Sequence, residues 1–135
     1  MLLTNQTSLP IASQEDVVIV RQAVRKAGVE AGFTLVDQTK IITAASELAR
    51  NAFVHGRGGT VLIERVEDGA RKGLRLTFSD QGPGIPDLEK ALKDGYTSGT
   101  GLGLGLGGAK RLSNEFTIWS ERDKGTRVTI TRWKS

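Results

Sequence analysis

The chain contains no cysteine and a single histidine. The first absence excludes disulfides, thiolate zinc sites and cysteine nucleophiles, and the second argues against a histidine metal centre or a Ser-His-Asp triad. No apolar run approaches the roughly 20 residues that span a bilayer. The opening MLLTNQTSLP has neither the basic flank nor the apolar stretch of a signal peptide. The expectation is a cytoplasmic protein with no membrane association. Aromatic residues make up 5% of the chain, and its 19 basic and 15 acidic side chains are interspersed, for a net charge of +4. Dispersed lysine and arginine without interleaved aromatics read as a solvated surface, not as a nucleic-acid site. With 38% hydrophobic residues in a length of 135, one globular domain spanning residues 1–135 is expected.

What the chain has in excess is glycine: 17 residues, nine of them between Gly82 and Gly108. Around that stretch the pattern is regular. Residues 2–11 read as an edge strand, with Pro10 where a missing donor is tolerated. Ser13 and Asp16 form a capping-box signal before Val17, Val20, Val24, Ala27 and Ala31, a helical stripe that Gly32 stops. Thr34 and Asp37 open a second helix with apolar positions at Ile41, Ala45, Leu48 and Ala52, ending at Gly56. Thr60–Val66 and Leu74–Ser79 form a hairpin around EDGARKG, and Phe116–Ser120 and Thr126–Trp133 a second around RDKG. Between the hairpins lie a short helix at Asp87–Asp94, with Pro86 in its first turn, and a glycine run leading into a helical ending at Ala109–Leu112. One mixed sheet with helices on one face follows from this order.

Glycines let backbone amides approach a phosphate where a side chain would intervene, and a helix N-terminus adds free N–H groups. GTGLGLGLGGAKRL supplies both. Its interleaved Leu102, Leu104 and Leu106 call for burial, unlike a flexible linker. A Walker A loop requires Lys followed by Ser or Thr after its last glycine, whereas Lys110 follows Ala109 and precedes Arg111. A dinucleotide fingerprint matches literally at Gly103, Gly105 and Gly108, with Glu121 18 residues beyond Gly103. Its context fails, because helix and loop precede it instead of a strand.

Two further motifs lie upstream. Asp80-Gln-Gly82-Pro-Gly84-Ile stands at a predicted strand end, and Glu47-Leu-Ala-Arg-Asn51 lies on the second helix. Taken singly, Asp80 reads as a turn former. Glu47, off the apolar arc at about 100° per residue, reads as a solvated side chain. Taken together with the glycine run, the three motifs resemble the nucleotide-binding boxes of the gyrase, heat-shock-ninety, histidine-kinase and MutL (GHKL) superfamily over about 80 residues, Glu47 through Thr126. The resemblance implies an α+β fold, a two-layer α/β sandwich (the Bergerat fold) with a mixed, mostly antiparallel sheet and helices on one face.

It also implies roles. Asp80 would accept a hydrogen bond from the adenine amino group of ATP, where guanine presents a carbonyl. Gly82 and Gly84 would let the backbone pass close to base and sugar, and Thr126 would support the adenine site through water. Asn51 would ligate Mg²⁺ through its amide oxygen, with phosphates and water completing the shell. Gly101, Gly103, Gly105 and Gly107 would wrap the phosphates, and the helix opening near Gly108 would favour their charge. Glu47 would orient and deprotonate the attacking group. His55, bordering the apolar arc, reads as a capping or packing residue. Ile85–Ser98 would be a lid whose cations are Lys90 and Lys93, so free chain is expected to bind ATP weakly.

Within the superfamily the chain resembles the small serine/threonine kinases of bacterial partner-switching pathways, closest to the RsbT type, the stressosome switch kinases. The resemblance implies STAS-domain scaffold or antagonist proteins as substrates and a PP2C-type phosphatase as the partner activated on release. Two alternatives remain open from sequence. One is an anti-sigma factor kinase of the RsbW or SpoIIAB type, which sequesters a sigma factor; the other is a nucleotide-dependent adaptor without catalysis.

Overall fold

The computed structural model describes residues 2–93 and 105–135. Two helices open the helical layer: α1, Gln14–Glu30, and α2, Leu35–Val54. Each is started by a hydroxyl. Ser13 Oγ accepts the Asp16 N–H at 3.2 Å and Thr34 Oγ1 accepts that of Asp37 at 3.2 Å, caps that contribute about 1 kcal/mol each. The reciprocal bond of the first box falls one residue early, since Asp16 Oδ2 accepts from the Ala12 N–H at 2.8 Å. α1 ends in a Schellman motif, with Gly32 at φ +84° and bonds from Gly32 N to Val29 O and from Phe33 N to Gly28 O.

The sheet has five strands, β1 (Leu2–Ile11), β2 (Gly59–Asp68), β3 (Arg71–Asp80), β4 (Glu115–Glu121) and β5 (Gly125–Trp133), in the order β1-β2-β3-β5-β4. All four pairings are antiparallel, so the mixed character expected of the sheet is absent among the described residues. The α+β two-layer arrangement stands. Pro10 lies on β1, an edge strand, as its missing donor requires. The first hairpin is longer than its sequence pattern indicated: Asp68 pairs with Arg71, so EDGARKG contracts to a tight turn at Gly69 (φ +63°) and Ala70.

One sheet face carries the core. Val61, Leu74, Leu76 and Ile130 are fully buried with Val20 and Val24 of α1 and Ile41 and Leu48 of α2. Two short helices complete the helical layer, α3 (Leu88–Ala91) and α4 (Gly105–Arg111), with α4 packed on α2. α3 is shorter than expected, because Asp87 is its N-cap and Pro86 therefore precedes the helix instead of occupying its first turn. Among the described residues no helix is long and apolar enough to cross a membrane.

α2 is tied to β5 by a buried ion pair. Asp37, 1% exposed, accepts from Arg132 Nη2 at 2.7 Å and Nε at 3.1 Å, from Ser135 N and Oγ, and from Thr34 Oγ1. Burial alone would raise its pKa, but the hydrogen bonds from Arg132, Ser135 and Thr34 outweigh it and bring the carboxyl from 3.8 to about 2. A depressed carboxylate pKa contributes stability that is complete above the unfolded value and is lost as pH falls through the folded one. Asp37→Asn is therefore expected to lower unfolding free energy at pH 7 by about 3 kcal/mol, because Arg132 keeps its burial and loses its counter-charge. The variant should also lack about 2 kcal/mol of the decline that the unmodified chain shows between about pH 4 and pH 2. Urea unfolding across that range measures both; a parallel pH dependence of the two proteins contradicts the assignment.

Candidate functional site

α2 carries two of the expected residues. Glu47 and Asn51 lie one turn apart, Glu47 buried at 9% exposure and Asn51 half-buried. Periodicity alone would leave Glu47 in solvent, yet it is buried, on a helix that packs against α4 as well as against the sheet. The Asn51 carbonyl accepts the N–H groups of His55 and Gly56 at 2.9 and 3.1 Å, and His55 is the C-cap, the position read for it from sequence. The chain then turns through Arg57 (φ 63°) and Gly58 (φ 95°) into β2.

Asp80 closes β3, and its Oδ1 accepts the Gly82 N–H at 3.0 Å, which folds the following loop back over the strand end. Three glycines surround it at distances that no side chain would permit. A Cβ on Gly56 would lie 2.3 Å from Asp80 Cγ, one on Gly125 2.1 Å from Asp80 O, and one on Gly82 2.7 Å from Gly56 Cα. The backbone following α2 thus lies against the Asp80 side chain and the backbone at Gly82, and the start of β5 lies against the Asp80 carbonyl. Gly82 was legible from the motif. Gly56, which reads from sequence only as a helix stop, was missed as a site residue, and Gly125 entered only as part of the Thr126 motif.

Thr126 stands opposite Asp80 in the β3–β5 register and is 9% exposed. Its Oγ1 lies 2.9 Å from Ser120 Oγ, and Ser120 Oγ accepts the Ile85 N–H at 2.7 Å. Ser120 therefore joins the threonine to the root of the expected lid. The sequence signal for it is the alternation of β4, which puts Ser120 opposite Thr126 once the RDKG turn sets the register. Gly84, at φ +83°, lies where a Cβ would be 2.6 Å from Glu121 O, and the Asp123 N–H donates to Pro83 O at 2.9 Å. The β4–β5 hairpin thus clamps the whole loop from Asp80 to Ile85.

The glycine run is placed differently from its reading as an extended loop. Helix begins at Gly105, not near Gly108, so Gly105, Gly107 and Gly108 are buried helical residues. A Cβ on Gly107 would lie 2.5 Å from Leu92 O, so this position lets α4 pack against the end of α3. Gly101 and Gly103, like Leu102, Leu104 and the lid beyond Lys93, lie outside the described residues. Lys90 and Lys93 are both exposed at α3 and its end.

The arrangement brings Asp80, Gly82, Gly84 and Thr126 together around the ends of β3 and β5, with Glu47 and Asn51 on the helix whose end abuts Asp80. Among the described residues no cluster of three or more His, Cys, Asp or Glu side chains could hold a metal unaided. Asn51 nevertheless offers a hard amide oxygen, and a lone protein ligand of this kind fits Mg²⁺, which retains water and takes phosphate oxygens as its other ligands.

Residues 36–134 match the family model of the histidine kinase-, DNA gyrase B- and HSP90-like ATPases. The serine/threonine-protein kinase RsbT of Bacillus subtilis is 43% identical over 131 residues, covering 97% of this chain and 98% of that protein. The anti-sigma F factor of Clostridium acetobutylicum is 31% identical over 97% of this chain and 95% of its own. Among solved structures, the RsbU and RsbW domains of a Mycobacterium tuberculosis protein superpose with a TM-score of 0.69 at 23% identity, a likeness of fold. It covers 98% of this chain and 34% of that longer one. The chain belongs to the histidine kinase-, DNA gyrase B- and HSP90-like ATPase family and, within it, to the small serine/threonine-protein kinases that include the Bacillus subtilis relative.

Proposed function

We propose that the chain transfers the γ-phosphate of ATP to a serine or threonine of STAS-domain proteins in a stressosome, and that on release it activates a PP2C-type phosphatase. The observation that carries the nucleotide half is the glycine-lined packing around Asp80, which fixes one carboxylate at the meeting point of α2, β3 and β5. A carboxylate held this way accepts from the exocyclic amine of adenine and has no donor to offer guanine's carbonyl. Thr126 and Ser120 border it and support a water-mediated contact to the base.

Glu47 is the proposed base. It takes the proton of the substrate hydroxyl as that oxygen attacks the γ-phosphorus, and the bond to the β–γ bridging oxygen breaks to release ADP. Asn51 would hold Mg²⁺ through its amide oxygen; when bound, the ion would neutralise charge on the phosphates. The glycines from Gly101 to Gly108 are the proposed phosphate cradle, a reading that rests on the sequence run and on the opening of α4 at Gly105. The near full-length match to a serine/threonine kinase supports phosphotransfer to protein. A second reading, an anti-sigma factor kinase that sequesters a sigma factor, is supported by the anti-sigma relatives at 31 to 35% identity. Recovery of a sigma factor, instead of a STAS scaffold or phosphatase, in a pull-down would favour it.

Two measurements test the site. With Mg-ATP and a STAS-domain substrate, Glu47→Ala is expected to slow phosphotransfer by about 10²- to 10⁴-fold, with ATP affinity little changed; an unaltered transfer rate removes Glu47 from the chemistry. Gly56→Ala must displace the Asp80 carboxylate, and it is expected to weaken ATP binding by about tenfold or more, about 1.4 kcal/mol. Gly28→Ala is the comparison, since its methyl meets nothing nearer than 3.5 Å. Equal ATP affinity in both glycine variants, measured by calorimetry, contradicts the role given to Gly56.

A further inference from the structure

Asp80, Thr126 and Ser120 form one row across three strands. Asp80 pairs with Thr126 between β3 and β5, and Thr126 with Ser120 between β5 and β4. Two residues along each strand, the next row of the same face is Phe78, Val128 and Ile118, which belongs to the core. The face of the sheet that carries the core therefore ends in a carboxylate and two hydroxyls, all on the side of the helical layer.

The Ser120 hydroxyl has more neighbours than protons. Its oxygen accepts the Ile85 N–H at 2.7 Å, and it lies 2.9 Å from Thr126 Oγ1 and 3.3 Å from Gly125 O. Gly84 closes a further side, since a Cβ there would lie 3.2 Å from Ser120 Oγ. A single proton must serve either Thr126 or the Gly125 carbonyl. If it goes to Gly125, Thr126 donates to Ser120 and has only lone pairs left for a ligand. If it goes to Thr126, the Thr126 proton is released toward Asp80 and whatever binds there. The first arrangement spends the Ser120 proton on a contact longer than ordinary hydroxyl hydrogen bonds, whereas the second uses the 2.9 Å contact and frees Thr126 to donate. Acceptance of the Ile85 N–H further polarises Ser120 as a donor.

We propose that Ser120 is a positioning residue for base selection: by donating to Thr126 Oγ1 it holds the Thr126 hydroxyl as a donor toward N1 of adenine, directly or through one water. This rests on the reading of Asp80 as the acceptor for the adenine amine. The row then presents an acceptor, Asp80, beside a donor, Thr126. Adenine offers the complement, an amine beside the bare N1, while guanine offers a carbonyl beside an N1–H and is mismatched at both places. N7 flanks the amine on its other side, but guanine carries N7 as well, so a contact there would add nothing to discrimination. Ser120 touches no nucleotide atom in this scheme. It acts through Thr126, and its worth is the difference between a threonine that donates and one that only accepts.

The test compares equilibrium binding of the Mg²⁺ complexes of ATP, 1-deaza-ATP, in which C–H replaces N1, and 7-deaza-ATP. The unmodified chain is expected to bind 1-deaza-ATP about three- to tenfold more weakly than ATP. Ser120→Ala should lose a similar factor for ATP and 7-deaza-ATP and nothing for 1-deaza-ATP, and Ser120→Thr, which keeps the hydroxyl, should restore ATP binding. Thr126→Val should give the same pattern, and adding Ser120→Ala to it should cost nothing more, as for two residues that act as one unit. A serine needed only to hold Ile85 would weaken all three nucleotides alike in Ser120→Ala, and that result overturns the proposal. So does equal binding of ATP and 1-deaza-ATP by the unmodified chain, a measurement that does not require Ser120→Ala to fold. ATP binding that is indifferent to Asp80→Ala overturns the adenine reading and this inference together. ATP binding that needs Asp80 but not Ser120 overturns this inference alone.

Discussion

The structure depends on one steric constraint: at Asp80 three chain segments approach more closely than any Cβ allows. Gly56 brings the end of α2 against the carboxylate, Gly125 brings the start of β5 against the Asp80 carbonyl, and Gly82 returns the loop onto Gly56. Such contact trades side-chain packing for fixed backbone geometry. The result is a carboxylate held between the backbone of Gly56 and the Gly82 N–H, on a residue whose carbonyl is covered by Gly125. A site that distinguishes one base from another by a single hydrogen bond needs that degree of fixation.

The same helix is anchored at its other end. Asp37, in the first turn of α2, is locked to Arg132 near the end of β5, whereas Gly56 lies against Asp80, which pairs with Thr126 near the start of β5. α2 is therefore held to the sheet at both ends, with Glu47 and Asn51 between the two anchors. Their spacing relative to Asp80 follows from a helix that can neither slide nor rotate without breaking a buried ion pair or forcing a backbone clash. On the other side of the loop, the Ser120 hydroxyl ties Ile85 to Thr126, so the β4–β5 hairpin holds the end of the loop that follows β3.

Much of this was legible in the sequence because local rules govern it. Ser13, Thr34 and Gly32 mark helix ends through their own hydrogen bonds and φ angles, and the apolar stripes of α1 and α2 report the face that meets the sheet. Other features depend on partners distant in sequence. Glu47 is buried although it lies off the apolar stripe of α2, and the packing of α2 on α4 as well as on the sheet is not disclosed by periodicity within α2. Gly56 ends a helix in the one-dimensional reading, and its second role appears only when Asp80 is placed next to it. Gly107 belongs to a run that reads as loop, yet the carbonyl of Leu92 occupies the space a side chain would need. Strand extension past Val66 followed from the φ of Gly69, which a turn-rich heptapeptide left undetermined.

Membership in an ATPase family with a near full-length kinase relative and the geometry at Asp80 converge on adenine recognition as the first step of function. Titration of the chain with Mg-ATP and with Mg-GTP, followed through the amide resonances of Gly56, Gly82 and Gly125, tests that claim most directly. The account predicts saturating shifts at these three glycines with Mg-ATP and none with Mg-GTP at the same concentrations. Equal responses to both nucleotides, or Mg-ATP shifts that leave the three glycines unmoved, would contradict it.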